Sequence, residues 1–164
     1  MSLPDPSDLR LAPLAPAHAA ALVTWRYPAP YDVYDLADAD PADLLDPDAG
    51  FHALLAGEEL VGFRSYGADG RVPGWDYDGH HPGALDTGGG LRPDLTGRGL
   101  GRAAIAAGLA HGRALFAPTA FRVTVAAFNT RALRVLAGLG FERVDGFEAA
   151  YDGRPFEVLL RQEV

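Results

Sequence analysis

The 164-residue chain has no cysteine, no lysine, only three serines and a single methionine. Without cysteine there can be no disulfide, no thiolate metal site and no Cys nucleophile. Ser2, Ser7 and Ser65 all stand outside a G-x-S-x-G turn, which argues against serine hydrolysis. The missing lysine removes the Gly-Lys-Ser/Thr ending that a nucleotide P-loop requires. No run of 18 apolar residues is present, so no membrane association is expected. The opening stretch MSLPDPSDLRLAP lacks the basic and apolar regions of a secretion signal, and the expected location is cytoplasmic. One absence is positional: between Asp94 and Glu142 there is no acidic residue, although the chain as a whole carries −8.

That acid-free stretch holds Arg98, Arg102, Arg113, Arg122, Arg131 and Arg134. A local positive field in an acidic protein points to a compact ligand with a few phosphates. Nucleic acid is not an expected partner, because the rest of the surface would repel a long polyanion. The start of this field overlaps the end of LDTGGGLRPDLTGRGLGR, Leu85 to Arg102. A strand-like run ends at Leu91, Pro93 stops the ladder, and Gly97, Gly99 and Gly101 alternate before a good helix-forming sequence. Strand, glycine loop and helix start together make an anion-binding turn, since the first helical amides are unpaired and carry partial positive charge. The plainer alternative is a glycine turn that only connects two elements. Gly99 to Ala104 also fits the dinucleotide pattern G-x-G-x-x-G/A, but the acid that pattern needs about 20 residues later is missing.

The rest of the chain reads as one α/β domain over residues 1–164. Leu9 to Ala12, Phe51 to Ala56, Leu60 to Tyr66, Leu85 to Leu91, Phe121 to Phe128, Glu142 to Tyr151 and Phe156 to Arg161 have strand character. Pro16 to Arg26 and Pro41 to Leu45 read as helices, and Leu85 to Phe128 as a strand–helix–strand unit, which is normally parallel and right-handed. The helix after the glycine loop is expected to bury Leu100, Ala104, Ile105, Leu109, Leu115 and Phe116 and to expose Arg102 and Arg113. Asn129 caps the next helix and Gly140 ends it. Tyr27 to Asp48 carries tyrosines and seven aspartates, either a solvated connection or a wall attractive to an amine. Gly67 to Pro82 is a long loop in which Trp75, Tyr77, His80 and His81 are candidates to shape a pocket. Its Asp76, Asp78 and Gly79 lack the bidentate Glu of a calcium loop, and no metal is expected.

LRPDLTGRGLGRA resembles the pyrophosphate-binding motif of the GNAT N-acetyltransferase superfamily, Gln/Arg-x-x-Gly-x-Gly/Ala, with Thr96, Gly99 and Gly101 at its positions. Asn129 to Phe141, NTRALRVLAGLGF, resembles the second motif of that superfamily. The resemblance spans the second half of the chain and implies a mixed, mostly antiparallel sheet with a splayed parallel strand pair and helices on both faces. It implies acetyl-CoA as co-substrate, bound at Gly90, Leu91, Gly97, Arg98, Gly99, Leu100, Gly101, Arg102 and Asn129. The implied reaction moves an acetyl group to a primary amine of a small molecule or peptide, with the Leu91 amide facing the oxyanion and Asp86 as base. The alternative is a catalytically idle acyl-CoA sensor of the same fold. One departure stands out: the tyrosine expected to protonate the departing thiolate is replaced by Leu136, leaving Tyr31, Tyr34 or Tyr151 as candidates. A homodimer is compatible with the resemblance.

Overall fold

A computed structural model describes residues 2–163. Seven strands form one sheet: β1 (Leu9–Pro13), β2 (Phe51–Ala56), β3 (Glu59–Tyr66), β4 (Ala84–Leu91), β5 (Ala120–Ala126), β6 (Glu142–Glu148) and β7 (Pro155–Gln162), in the order β1-β2-β3-β4-β5-β7-β6. Every neighbouring pair is antiparallel except β4 and β5, which are parallel. That exception follows from the connection, because a helix between two strands returns the chain to the same end of the sheet.

Four helices cover the sheet: α1 (Pro16–Leu22), α2 (Pro41–Leu44), α3 (Gly101–Phe116) and α4 (Thr130–Gly138). Leu109 of α3 and Leu136 of α4 pack with Phe121, Val123 and Val125 of β5. Ala19, Leu22 and Leu44 pack with Phe51 and Phe63 under α1 and α2. Successive strand residues point to opposite faces, and Phe63 meets the α1–α2 cluster while Arg64 lies against Gly108 of α3. The helix pairs therefore sit on the two sides of the sheet.

Two expectations are corrected. α1 stops at Leu22 rather than Arg26, because the Thr24 hydroxyl donates to the Ala21 carbonyl at 2.6 Å and Arg26 Nη1 to that of Val23 at 2.8 Å. Such side-chain bonds compete with continued helix. In α3, Leu115 and Phe116 are 53% and 49% exposed. The stripe that meets the sheet is made instead by Ala104, Gly108, Leu109 and Gly112. Small residues bring this helix close to the sheet, and in its last turn the half-exposed Phe116 ring leans on Tyr66 of β3, 5.4 Å between centroids.

The feature that positions everything else is a fork. β4 and β5 are in register only at Ala84–Ala120, Leu85–Phe121 and Asp86–Arg122. Beyond that point β4 stays paired with β3 as far as Leu91, and β5 with β7 as far as Ala126. The two strands part, and each is left with one unpaired edge.

Candidate active site

Antiparallel pairing alternates the direction of peptide groups along β4. Gly67 N–H donates to the Asp86 carbonyl at 2.8 Å, and Arg92 N–H to the Val61 carbonyl at 2.8 Å, so the even-numbered residues face β3. Gly89 and Leu91 therefore present their peptide groups to the fork. On the other prong, Ala127 N–H donates to the Pro155 carbonyl of the β7 side, which turns the Ala126 N–H inward.

Two tyrosines occupy these edges. The Tyr27 hydroxyl donates to the Leu91 carbonyl at 2.6 Å. The Tyr34 oxygen accepts from Ala126 N–H at 3.3 Å and from Asn129 Nδ2 at 3.1 Å. With both bonds received by its oxygen, the Tyr34 proton is available to a third group. Burial pushes the Tyr34 hydroxyl above the usual tyrosine range, opposed by the bonds from Asn129 and Ala126. Asn129 also caps α4, its Oδ1 accepting from Ala132 N–H at 3.2 Å. Capping uses Oδ1 and the bond to Tyr34 uses Nδ2, so both ends of the side-chain amide are held.

At the open end of the fork lies the glycine loop. A turn at Pro93–Leu95 is followed by Gly97 at φ +69° and Gly99 at φ +90°, conformations that favour glycine. The first intrahelical bond of α3 runs from Ala104 N–H to the Leu100 carbonyl. Among the described residues, no acceptor meets the amides of Gly97 to Ala103. Seven free donors at the start of a four-turn helix are arranged for an anion.

Fork and loop share one cavity of about 690 Å³. Gly88 to Leu91, Thr96, Gly97, Gly99, Gly101, Arg102 and Asn129 line it. Arg98 and Leu100 do not; the Leu100 side chain is buried with Leu54, Val61 and Leu95, so only its backbone belongs to the loop. Of the six arginines in the acid-free stretch, Arg102, Arg131 and Arg134 reach the cavity. Arg131 lies where a Cβ on Gly97 would project, and its guanidinium sits 4.4 Å above the Tyr31 ring. Arg113 is tied to Glu163 at 2.9 Å instead.

Arg122 corrects the count further. It is fully buried and clamps Asp86, and it also donates to the carbonyls of Tyr77 and His80 at 3.2 and 2.6 Å. Trp75, Tyr77, His80 and His81 therefore enclose this ion pair and do not line the cavity. The long loop serves the closed end of the fork; Asp69, Gly70 and Val72 are its contribution to the cavity.

Asp86 itself stands apart from the other candidates. Its side chain is buried, Oδ2 also accepts from Arg71 Nε at 2.9 Å, and it does not line the cavity. Two other carboxylates do, Asp35 and Asp69. Asp35 accepts from Tyr27 N–H at 3.0 Å. Asp69 is exposed to solvent, yet the protein packed around it strips part of its hydration and raises its carboxyl above the usual range. The nearby Ser65 hydroxyl pulls it the other way, although Ser65 Oγ is enclosed and makes no formed hydrogen bond. The sequence signal for this cluster was present in ELVGFRSYGAD, where Arg64, Ser65 and Asp69 interrupt an otherwise buried strand and its exit. Leu136 lines the cavity as a buried apolar side chain, so α4 offers no hydroxyl at that position.

Residues 17–141 match the model of the acetyltransferase (GNAT) family. No curated protein sequence matches the chain. Among solved structures, the aminoglycoside acetyltransferase AAC(6')-Ib with paromomycin and acetyl-CoA is 20% identical, with a TM-score of 0.74 over 95% of this chain and 94% of that one. A chimera of the spermidine N-acetyltransferase SpeG from Vibrio cholerae is 13% identical, with a TM-score of 0.70 over 94% of this chain and 95% of that one. The yncA protein of Salmonella typhimurium with its cofactor acetyl-CoA is 16% identical, with a TM-score of 0.68 over 94% of both chains.

Proposed function

This chain belongs to the acetyltransferase (GNAT) family, and from that premise we propose that it moves an acetyl group from acetyl-CoA to the primary amine of a small cationic molecule or peptide. The observation that carries the reading is the fork, which leaves the Gly89 and Leu91 peptide groups unpaired by the sheet and ends at seven free amides. The coenzyme diphosphate would rest on the amides of Gly97, Arg98, Gly99, Leu100, Gly101 and Arg102, with Arg102, Arg131 and Arg134 offsetting its charge. The pantetheine arm would lie along Gly90 and Leu91 and pass Asn129.

The chemistry needs a neutral amine, a donor for the oxyanion and a proton for the departing sulfur. Asp69 suits the first task, because a carboxyl raised by burial takes a proton from an ammonium more readily than an ordinary one. The Leu91 N–H, directed into the fork, suits the second. Tyr34 suits the third, replacing from the opposite wall the hydroxyl that α4 lacks at Leu136. The amine nitrogen then bonds to the acyl carbon, the carbon–sulfur bond breaks with its electron pair on sulfur, and the Tyr34 proton completes the thiol. Asp86, held by two guanidinium groups, is read here as the brace of the fork.

Asp35, Asp69 and the tyrosine edge give the cavity an acidic, aromatic rim suited to a cation. Aminoglycosides and spermidine, named with two of the similar solved structures, are cationic amines of that kind. A thiol-release assay with acetyl-CoA across polyamines, aminoglycosides and peptide N-termini tests the reading. Release with at least one cationic amine is expected. Tight acetyl-CoA binding with no release from any amine favours the idle sensor.

A further inference from the structure

Arg64 is a buried cation without a counter-charge. It is 6% exposed, and its Nε is fully enclosed with no partner. Among the described residues no carboxylate or carbonyl accepts from its guanidinium. The neighbouring Tyr66 hydroxyl is already committed to the Gly108 carbonyl at 2.6 Å. The contrast with Arg122, also buried and met by Asp86 and two carbonyls within 3.2 Å, is direct. Burying a charge with nothing to pair it is strongly unfavourable, so such a group is retained where a ligand completes it. Burial lowers the Arg64 pKa to about 10, which leaves it cationic at neutral pH.

Two glycines make its place. Nη1 stands 2.7 Å from where a Cβ on Gly89 would project, and Nε 2.8 Å from the same point on Gly108. Any other side chain at either position would displace the guanidinium. Gly89 is a residue whose peptide groups face the fork, and Gly108 belongs to α3, so Arg64 lies on the face that carries α3 and α4. Ser65, next on the strand, points to the opposite face, where Asp69 stands. A thioester with its diphosphate on the glycine loop and its arm along Leu91 and Gly90 delivers its acyl group to Gly89. The acyl group therefore meets Arg64, while the amine is met by Asp69 across the sheet.

We infer that Arg64 is a carboxylate-binding residue at the acyl end of the cavity, and that the enzyme accepts the coenzyme A monothioester of a short dicarboxylic acid, of the malonyl or succinyl class, as well as acetyl-CoA. This rests on the proposed path of the acyl donor. A planar guanidinium matches a carboxylate with two parallel bonds, a fit that a transient oxyanion or a methyl group does not supply. The transfer itself is unchanged: nitrogen bonds to the thioester carbon, sulfur leaves with its electron pair and gains a proton, and the far carboxylate takes no part. The product is an amide bearing a carboxylate, so a cationic amine becomes an anion.

Calorimetric titration of the whole protein with succinyl-CoA and with butyryl-CoA, which has the same chain length but ends in a methyl group, tests this without an acceptor. Wild type should bind succinyl-CoA more tightly, by on the order of 10- to 100-fold, as for a charge-assisted buried bond. In Arg64→Gln and Arg64→Met the ratio should fall to about one or below. A wild-type ratio of one or less overturns the inference, and needs no variant to fold. So does a preference that survives both substitutions. A third titration compares an amino acid with its amide on coenzyme A-loaded protein. An Arg64-dependent preference there, with none among donors, moves the carboxylate to the acceptor and also overturns it. If acetyl-CoA binds while succinyl-CoA gains nothing, this inference alone fails; if acetyl-CoA does not bind either, the proposed function fails with it.

Discussion

Arg122 grips both oxygens of Asp86, with Nε 2.6 Å from Oδ1 and Nη2 2.9 Å from Oδ2, at the last paired position before β4 and β5 part. A fork needs a fixed point where its prongs meet, and a doubly bonded ion pair inside the protein is a stiff one. Removing one member of such a pair leaves the other charge uncompensated, at about 3–5 kcal/mol. Asp86→Ala is expected to lower the melting temperature by about 2–4 °C for each kcal/mol lost. Turnover per folded molecule should keep its pH dependence. A variant of full stability with no turnover returns the role of base to Asp86.

The raised Asp69 carboxyl ties both stability and activity to pH. Its folded carboxyl holds a proton more tightly than the unfolded one, so its contribution to stability is present at low pH and is lost as pH rises through the raised value. Asp69→Asn cannot ionise. Its melting temperature should match wild type near pH 4, at about the ordinary carboxylate value, and exceed it at neutral pH. Activity runs the opposite way, since the base must be ionised. Wild-type kcat/KM should rise with pH along a limb above the ordinary carboxylate range, and that limb should vanish in the variant. An unchanged pH profile in Asp69→Asn removes this carboxylate from the mechanism.

Gly101 separates stability from binding. A Cβ there meets nothing within 4 Å, and its φ is not in the left-handed region. An aspartate at a helix start is favourable for the helix, by roughly 0.3–1 kcal/mol. Gly101→Asp should therefore melt no lower than wild type, yet lose acetyl-CoA affinity by roughly 100-fold, because a like charge stands among the amides proposed to hold phosphate. Undiminished affinity by calorimetry contradicts the anion site.

Tyr34→Phe removes the proton assigned to the leaving thiolate and leaves the Ala126 and Asn129 donors facing a ring edge. kcat should fall roughly 10²-fold, more than the affinity for acetyl-CoA falls. Because burial raises this hydroxyl, wild type should show no descending limb attributable to it below about pH 10. Equal kcat in the variant passes the proton to water.

Much of this was legible in the residues. Strand and helix order followed from periodicity, and the glycine loop from three glycines at alternate positions after Pro93. The absence of acid from 95 to 141 pointed to an anion. It could not say which arginines serve that anion. Arg122 and Arg102 look alike in a sequence, and only the pairing of β4 with β5 puts Arg122 against Asp86. The same pairing made the loop around Trp75 and His80 a cover for that ion pair. α3 misled for a related reason: its contact stripe is Ala104, Gly108 and Gly112, whose value lies in small size, which hydropathy does not register. Arg64 was in plain view within ELVGFRSY, but its lack of a partner is a property of three dimensions.

In the proposed reaction the fork and its loop hold coenzyme A. A crystal structure of the protein with acetyl-CoA decides this. Diphosphate oxygens within hydrogen-bond distance of the amides of Gly97 to Ala103, with the pantetheine arm between β4 and β5, are the predicted result. A cofactor bound elsewhere, with those amides turned to the chain's own carbonyls, contradicts it.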